Sequence, residues 1–137
     1  MSGNLLKQAK EIVALAKTGK VDDALAAYKT MFEQPDFGQA PIEERRQVIK
    51  LVVNAKVPPN RPSPGVVAVH RAAMKPLEQM IGEAGDPADF ELLGICCVFV
   101  EDEKRAAEVF RAGLKLAREK NSRSDLCGSL MKWVAAV

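Results

Sequence analysis

With 137 residues and 14.9 kDa the chain has room for one compact domain, and a second independent core would be crowded. A composition of 47% hydrophobic and 28% charged residues with a mean hydropathy of -0.09 excludes disordered, collagenous and membrane-embedded classes. The formal net charge of +2 is far from the strongly basic footprint of nucleic-acid binders, and Cys96, Cys97 and Cys127 lack the C-x-x-C pairing of zinc or redox motifs, which points to a reducing compartment.

The N-terminal residues lead straight into the charged stretch Leu5 to Glu11, where a signal peptide would need an apolar run. A cytoplasmic protein is expected. Seven segments carry helical periodicity and none shows the strict alternation of a half-buried strand, so the chain reads as all-α. The first helix spans about 4–18, with Leu5, Leu6, Ala9, Ile12, Val13 and Ala16 on its apolar face and Gly19 as its stop. The second opens near Val21, with Asp22 and Asp23 complementing its positive end, and stops at Pro35.

After a loop through Phe37 and Gly38, the third helix starts at Pro41 and is expected to run through Val48, Ile49, Val52 and Ala55 to the prolines at 58 and 59. The segment 57–65 carries four prolines and reads as a stiff connection; its Pro59-Asn60-Arg61-Pro62 is a minimal P-x-x-P, which a rigid linker explains as well. A fourth helix covers about 65–83 and contains Pro76. Asp86-Pro87 opens the fifth, Glu101-Asp102-Glu103 the sixth, and Ser122 or Ser124 the seventh, whose Leu126, Leu130, Trp133 and Val134 make a lid for the last pair.

One pattern occurs twice. Phe90-x-x-Leu93-Gly94-x-x-Cys97-x-x-x-Glu101-Asp102-Glu103-x-x-Ala106-x-x-x-Phe110-x-x-Gly113-Leu114 resembles a tetratricopeptide repeat, and Gly19-Lys20-Val21-x-x-Ala24-x-x-x-Tyr28 resembles its turn and second helix. Small residues at Gly94 and Ala106 let two helices nest while Phe90 and Phe110 fill the space around them. Gly19 and Glu101 stand 82 residues apart, where two regular units would give about 68, so the middle pair must be irregular. The resemblance implies a right-handed α-α superhelix of about three antiparallel pairs, at about 4–34, 41–84 and 86–119, with a capping helix at about 123–137; an unrelated helical bundle is the alternative.

The resemblance also implies a concave groove, lined by the first helices of the stacked pairs, that holds a peptide or an amphipathic helix of another protein. Many family members clamp a carboxylate with a basic residue and an Asn on a first helix; Ala9 and Val13 stand in those places here. Val13 and Lys17 are candidate partner contacts on the first helix, and Arg46, Lys50 and Asn54 form a candidate basic ridge on the third, against the simpler reading of a solvated helix face. From Arg45 to Leu77 there is no Asp or Glu, which would favour an acidic partner unless neighbours in space supply the counter-charges. On the fifth helix Ile95, Val98 and Phe99 would form an apolar groove wall if open and core if covered.

No catalytic, cofactor or metal motif is evident: His70 is the single histidine, with no carboxylate near it in sequence, and neither a glycine-rich phosphate loop nor H-E-x-x-H occurs. The expectation is a non-enzymatic adaptor or scaffold without cofactor or metal. A self-associating structural subunit is the alternative, and a nucleic-acid-binding repeat is disfavoured by the few aromatic residues.

Overall fold

The computed structural model describes residues 4–53 and 63–137. The described residues form seven α-helices: α1 (Asn4–Lys17), α2 (Val21–Glu33), α3 (Ile42–Lys50), α4 (Pro64–Ala84), α5 (Pro87–Phe99), α6 (Glu103–Asn121) and α7 (Asp125–Ala136). A 3-10 turn, Pro35–Gln39, joins α2 to α3, and no strand occurs among the described residues. The all-α expectation holds.

Local chemistry sets most helix boundaries. Ser63 Oγ accepts the Val66 N–H at 3.3 Å, Asp86 Oδ1 that of Ala88 at 2.9 Å, Asp102 Oδ1 that of Arg105 at 3.2 Å, and Ser124 Oγ that of Cys127 at 3.0 Å. Each bond satisfies a donor the helix ladder leaves open, and Ser124 rather than Ser122 is the cap of α7. Gly85 ends α4 in the left-handed conformation, at φ 61°.

The turns after α1 and α5 are closed alike. Gly19 N–H reaches Ala16 O and Lys20 N–H reaches Leu15 O; Glu101 N–H reaches Val98 O and Asp102 N–H reaches Cys97 O. Both are the paired short and long bonds that terminate a helix through one left-handed residue, here Gly19 at φ 92° and Glu101 at φ 62°. Two positions matched by sequence pattern thus share one backbone geometry.

Helices α5 and α6 form the tightest pair. A β-carbon on Gly94 would fall 2.6 Å from Cδ1 of Phe110, and one on Gly113 would fall 2.7 Å from Cβ of Phe90, so each glycine admits an aromatic residue of the facing helix. Phe110 stacks on Trp133 of α7 at 5.0 Å, and Leu130 is fully buried. Helix α7 lies chiefly on α6 and touches α5.

The middle of the chain departs from expectation in two ways. Helix α3 stops at Lys50, short of the run toward Pro58, because Leu51 and Val52 close it with tight bonds to Val48 and Ile49. Its main neighbour is α1, while α4 packs on α2 and α5, so α3 and α4 are not each other's principal partners in an intimate hairpin. The P-x-x-P segment lies outside the described residues, whereas Pro64 sits in the first turn of α4, where a missing N–H costs nothing.

Candidate functional site

The expected basic ridge on α3 loses Arg46 to the interior. Arg46 is buried: its Nε and Nη2 donate to the two carboxylate oxygens of Asp89 on α5 at 2.6 and 2.8 Å, and its Nη1 donates to Glu43 at 2.7 Å. Asp86 adds a further negative charge at 3.6 Å. The Asp89 bond, opposed by desolvation, raises the Arg46 pKa and keeps the guanidinium charged. Arg46 is therefore withdrawn as a partner contact; it is a buried clasp between α3 and α5.

Arg45 is buried as well, donating to the backbone oxygen of Ala40 at 2.8 Å and to Glu83 of α4 at 2.7 and 3.0 Å. That hydrogen bond holds the Glu83 carboxyl below its ordinary range. Beside them Glu44 accepts the Leu6 N–H at 3.0 Å and ties α3 to the start of α1. Three consecutive charged residues of α3 thus face inward.

The expected apolar wall is also covered. Ile95 is buried, Val98 is partly buried against the core, and Phe99 is buried under His70 of α4, the rings parallel at 3.8 Å with 4° between their planes. His70 Nδ1 lies 2.7 Å from Val66 O, and burial lowers its pKa. Helix α5 buries residues all round, so Ile95, Val98 and Phe99 belong to the interior and are withdrawn as groove contacts. Of the remaining candidates, Val13 is half-buried against the core, Lys17 and Lys50 are exposed, and Asn54 lies outside the described residues. The candidates do not converge on one surface.

A cleft among the described residues lies elsewhere. A volume of about 760 Å³ opens between α2, the 3-10 turn and α4. Helix α2 contributes Lys29, Phe32 and Glu33, the turn contributes Pro35, Phe37 and Gly38, and α4 lines it with Ala68, Arg71, Ala72, Lys75, Pro76 and Gln79. The α4 residues fall on two rows of four-residue spacing: a low row, Ala68-Ala72-Pro76, and a polar ridge, Arg71-Lys75-Gln79. The buried stripe of the same helix, Val69, Ala73, Leu77 and Met80, faces inward and fixes that presentation. Phe32 and Phe37 meet edge to face at 5.3 Å and 81°, which joins the α2 wall to the turn.

Charge is distributed unevenly around this cleft. Lys29 is paired with Glu33 at 3.1 Å one turn along α2, so that wall is electrically closed. Arg71 and Lys75, both exposed, have no ion pair among the described residues. Pro76 has no N–H, so the helix ladder leaves the Ala72 carbonyl without its usual donor, and both residues line the cleft. The lining sets two unpaired cations, Arg71 and Lys75, beside the apolar side chains of Phe32, Ala72 and Pro76.

Arg71 and Lys75 fall within the acid-free stretch from Arg45 to Leu77, whose charge bias alone does not single them out. Their i, i+4 spacing opposite the apolar stripe, together with a mid-helix proline on the adjacent row, is the signal that could have found them. Elsewhere Cys96, Cys97 and Cys127 are buried free thiols, with burial pushing the Cys96 and Cys97 pKa values up. Among the described residues no group of three His, Cys, Asp or Glu side chains could hold a metal, and no helix is long and apolar enough to cross a membrane. No protein-family model, curated protein or solved structure matches the chain.

Proposed function

We propose that this chain is a non-enzymatic adaptor of tetratricopeptide-like architecture that captures an acidic segment of another protein in the cleft between α2 and α4, on the second helices of the pairs and not in the first-helix groove that the resemblance implies. The matching helix ends at Gly19 and Glu101 support the repeat reading, as do the nested Gly94 and Phe110. Between the first two pairs so does the neighbour pattern, with α1 on α3 and α2 on α4. Buried free thiols fit a reducing compartment, and the cytoplasm is the setting we assign to the adaptor.

The observation that carries the binding reading is the pair Arg71 and Lys75, unneutralised beside an apolar floor of Phe32, Ala72 and Pro76. Cations over apolar surface recognise carboxylates interleaved with apolar side chains. The test is a fluorescence-anisotropy titration of acidic, neutral and basic peptides of equal length. Acidic peptides should bind best, more weakly at high salt, and the double variant Arg71→Glu, Lys75→Glu should lose them while keeping its helical circular dichroism. Equal binding of all three classes, or binding indifferent to the double reversal, would overturn the proposal.

A further inference from the structure

We infer that copies of this chain dock end to end: the groove between α6 and α7 of one protomer receives the flank of α1 and α2 that faces away from α4 in the next. The inference stands apart from the acidic-segment reading, since neither surface includes the cleft residues Arg71 and Lys75.

The first surface lies across α2 from α4. Leu25 faces α4, 3.3 Å from the place a β-carbon on Gly65 would take, and Lys29 follows it on that flank. Ala27 and Thr30 project from the opposite flank and, with Met31, border a groove whose other wall is Glu11, Ile12 and Leu15 of α1. Glu11 is the one charged residue among the described lining residues, and Asp23 continues the Ala27 row by one turn. Both acids are exposed, and neither has an ion pair among the described residues. Lys7 and Lys10 border a separate groove on α1, which Glu11 also touches.

The second surface carries the opposite sign. Arg111, Lys115 and Arg118 form an exposed row at i, i+4 and i+7 on α6, without ion pairs among the described residues, and Glu119 is the one acid in the same lining. Leu114 and Val134 supply its apolar floor. Met131, one turn before Val134 on α7, is 49% exposed and extends that floor to the rim. The other side of α7 is already engaged, with Ser129 donating to Glu91 of α5.

Each surface is thus an apolar strip between two helices, one acidic at its edge and the other basic. Pairing of like surfaces would set Arg111, Lys115 and Arg118 against their own copies, whereas pairing of unlike surfaces sets them against Glu11 and Asp23 and covers Met131 and Ile12. A contact between different patches does not close at two copies and repeats into a ring or a row.

The test follows the mass of the full chain by sedimentation velocity as its concentration rises. The unchanged protein should grow from 14.9 kDa past the dimer, and less so at high salt. Glu11→Lys, and separately the double variant Arg111→Glu, Lys115→Glu, should each associate at least about tenfold more weakly, while the helical circular dichroism of these exposed-site variants stays unchanged. An equimolar mixture of the two variants should regain growth, because the reversed ends are complementary to each other and the native ends remain so. A mass of 14.9 kDa at every concentration, growth that halts at the dimer, or association indifferent to either reversal would overturn the inference.

Discussion

The ring of Phe110 occupies the volume that a β-carbon on Gly94 would need. A methyl group there would sit 2.6–2.7 Å from two ring carbons in a site with no exposure on the Phe110 side. Gly94→Ala should destabilise the protein by about 1–3 kcal/mol, despite the better helix propensity of alanine, because the packed interior resists an added methyl. Urea unfolding followed at 222 nm checks this, and Phe110→Leu in the Gly94→Ala background should return part of the loss. An unchanged midpoint would place the two helices further apart than described.

Glu101 is the one non-glycine residue at positive φ among the described residues, at 62°. Its counterpart Gly19 pays no steric penalty at 92°. Replacing Glu101 by Gly should therefore raise stability by about 0.5–1 kcal/mol, the left-handed strain relieved less the added freedom of the unfolded chain. A fall in thermal midpoint would contradict the equivalence of the two turns.

The clasp between Arg46 and Asp89 should behave as a buried ion pair. Asp89 is fully buried, so Arg46→Met leaves an uncompensated carboxylate and should cost about 3–5 kcal/mol. The combined variant Arg46→Met, Asp89→Leu should recover much of that loss, since two apolar groups need no partner. A double-mutant cycle by chemical denaturation measures the coupling, and additive losses would show that the two charges do not act as a unit.

How far this structure could be foreseen depends on the range of each interaction. Helix ends were legible because Asp86, Ser124 and Gly85 act on backbone groups within a turn of themselves. The nesting of Gly94 under Phe110 was legible because both belong to one short pattern. The burial of Arg45 and Arg46 was not, since their partners Glu83 and Asp89 lie 38 and 43 residues away and a charged helix reads as a solvated one. For Ile95, Val98 and Phe99 a signal was present: apolar residues on every side of α5 require cover on every side, and α4 supplies it through His70. The cleft depends on where α2, the turn and α4 meet, which local periodicity does not encode.

His70 gives the fold a pH dependence of defined sign. Burial lowers its pKa below the ordinary 6.5, so the unfolded chain binds a proton that the folded chain resists. The stabilisation is complete above pH 6.5 and is lost as the pH falls from there toward the folded value. Glu83 acts in a lower window: with its pKa depressed by Arg45, its contribution persists above 4.5 and fades as the pH falls below that. Stability should decline between pH 7 and 5, and His70→Phe, which keeps a ring over Phe99, should flatten that part of the curve. A slope unchanged in the variant would assign it to other groups.

The most direct test of the binding cleft is a map of backbone amide shifts on adding an acidic peptide to isotope-labelled protein. The account predicts that the largest changes fall on Phe32, Phe37, Arg71, Ala72 and Lys75, with α6 and α7 unmoved. Shifts concentrated instead on α5 or on the basic face Arg111, Lys115 and Arg118 of α6 would contradict it.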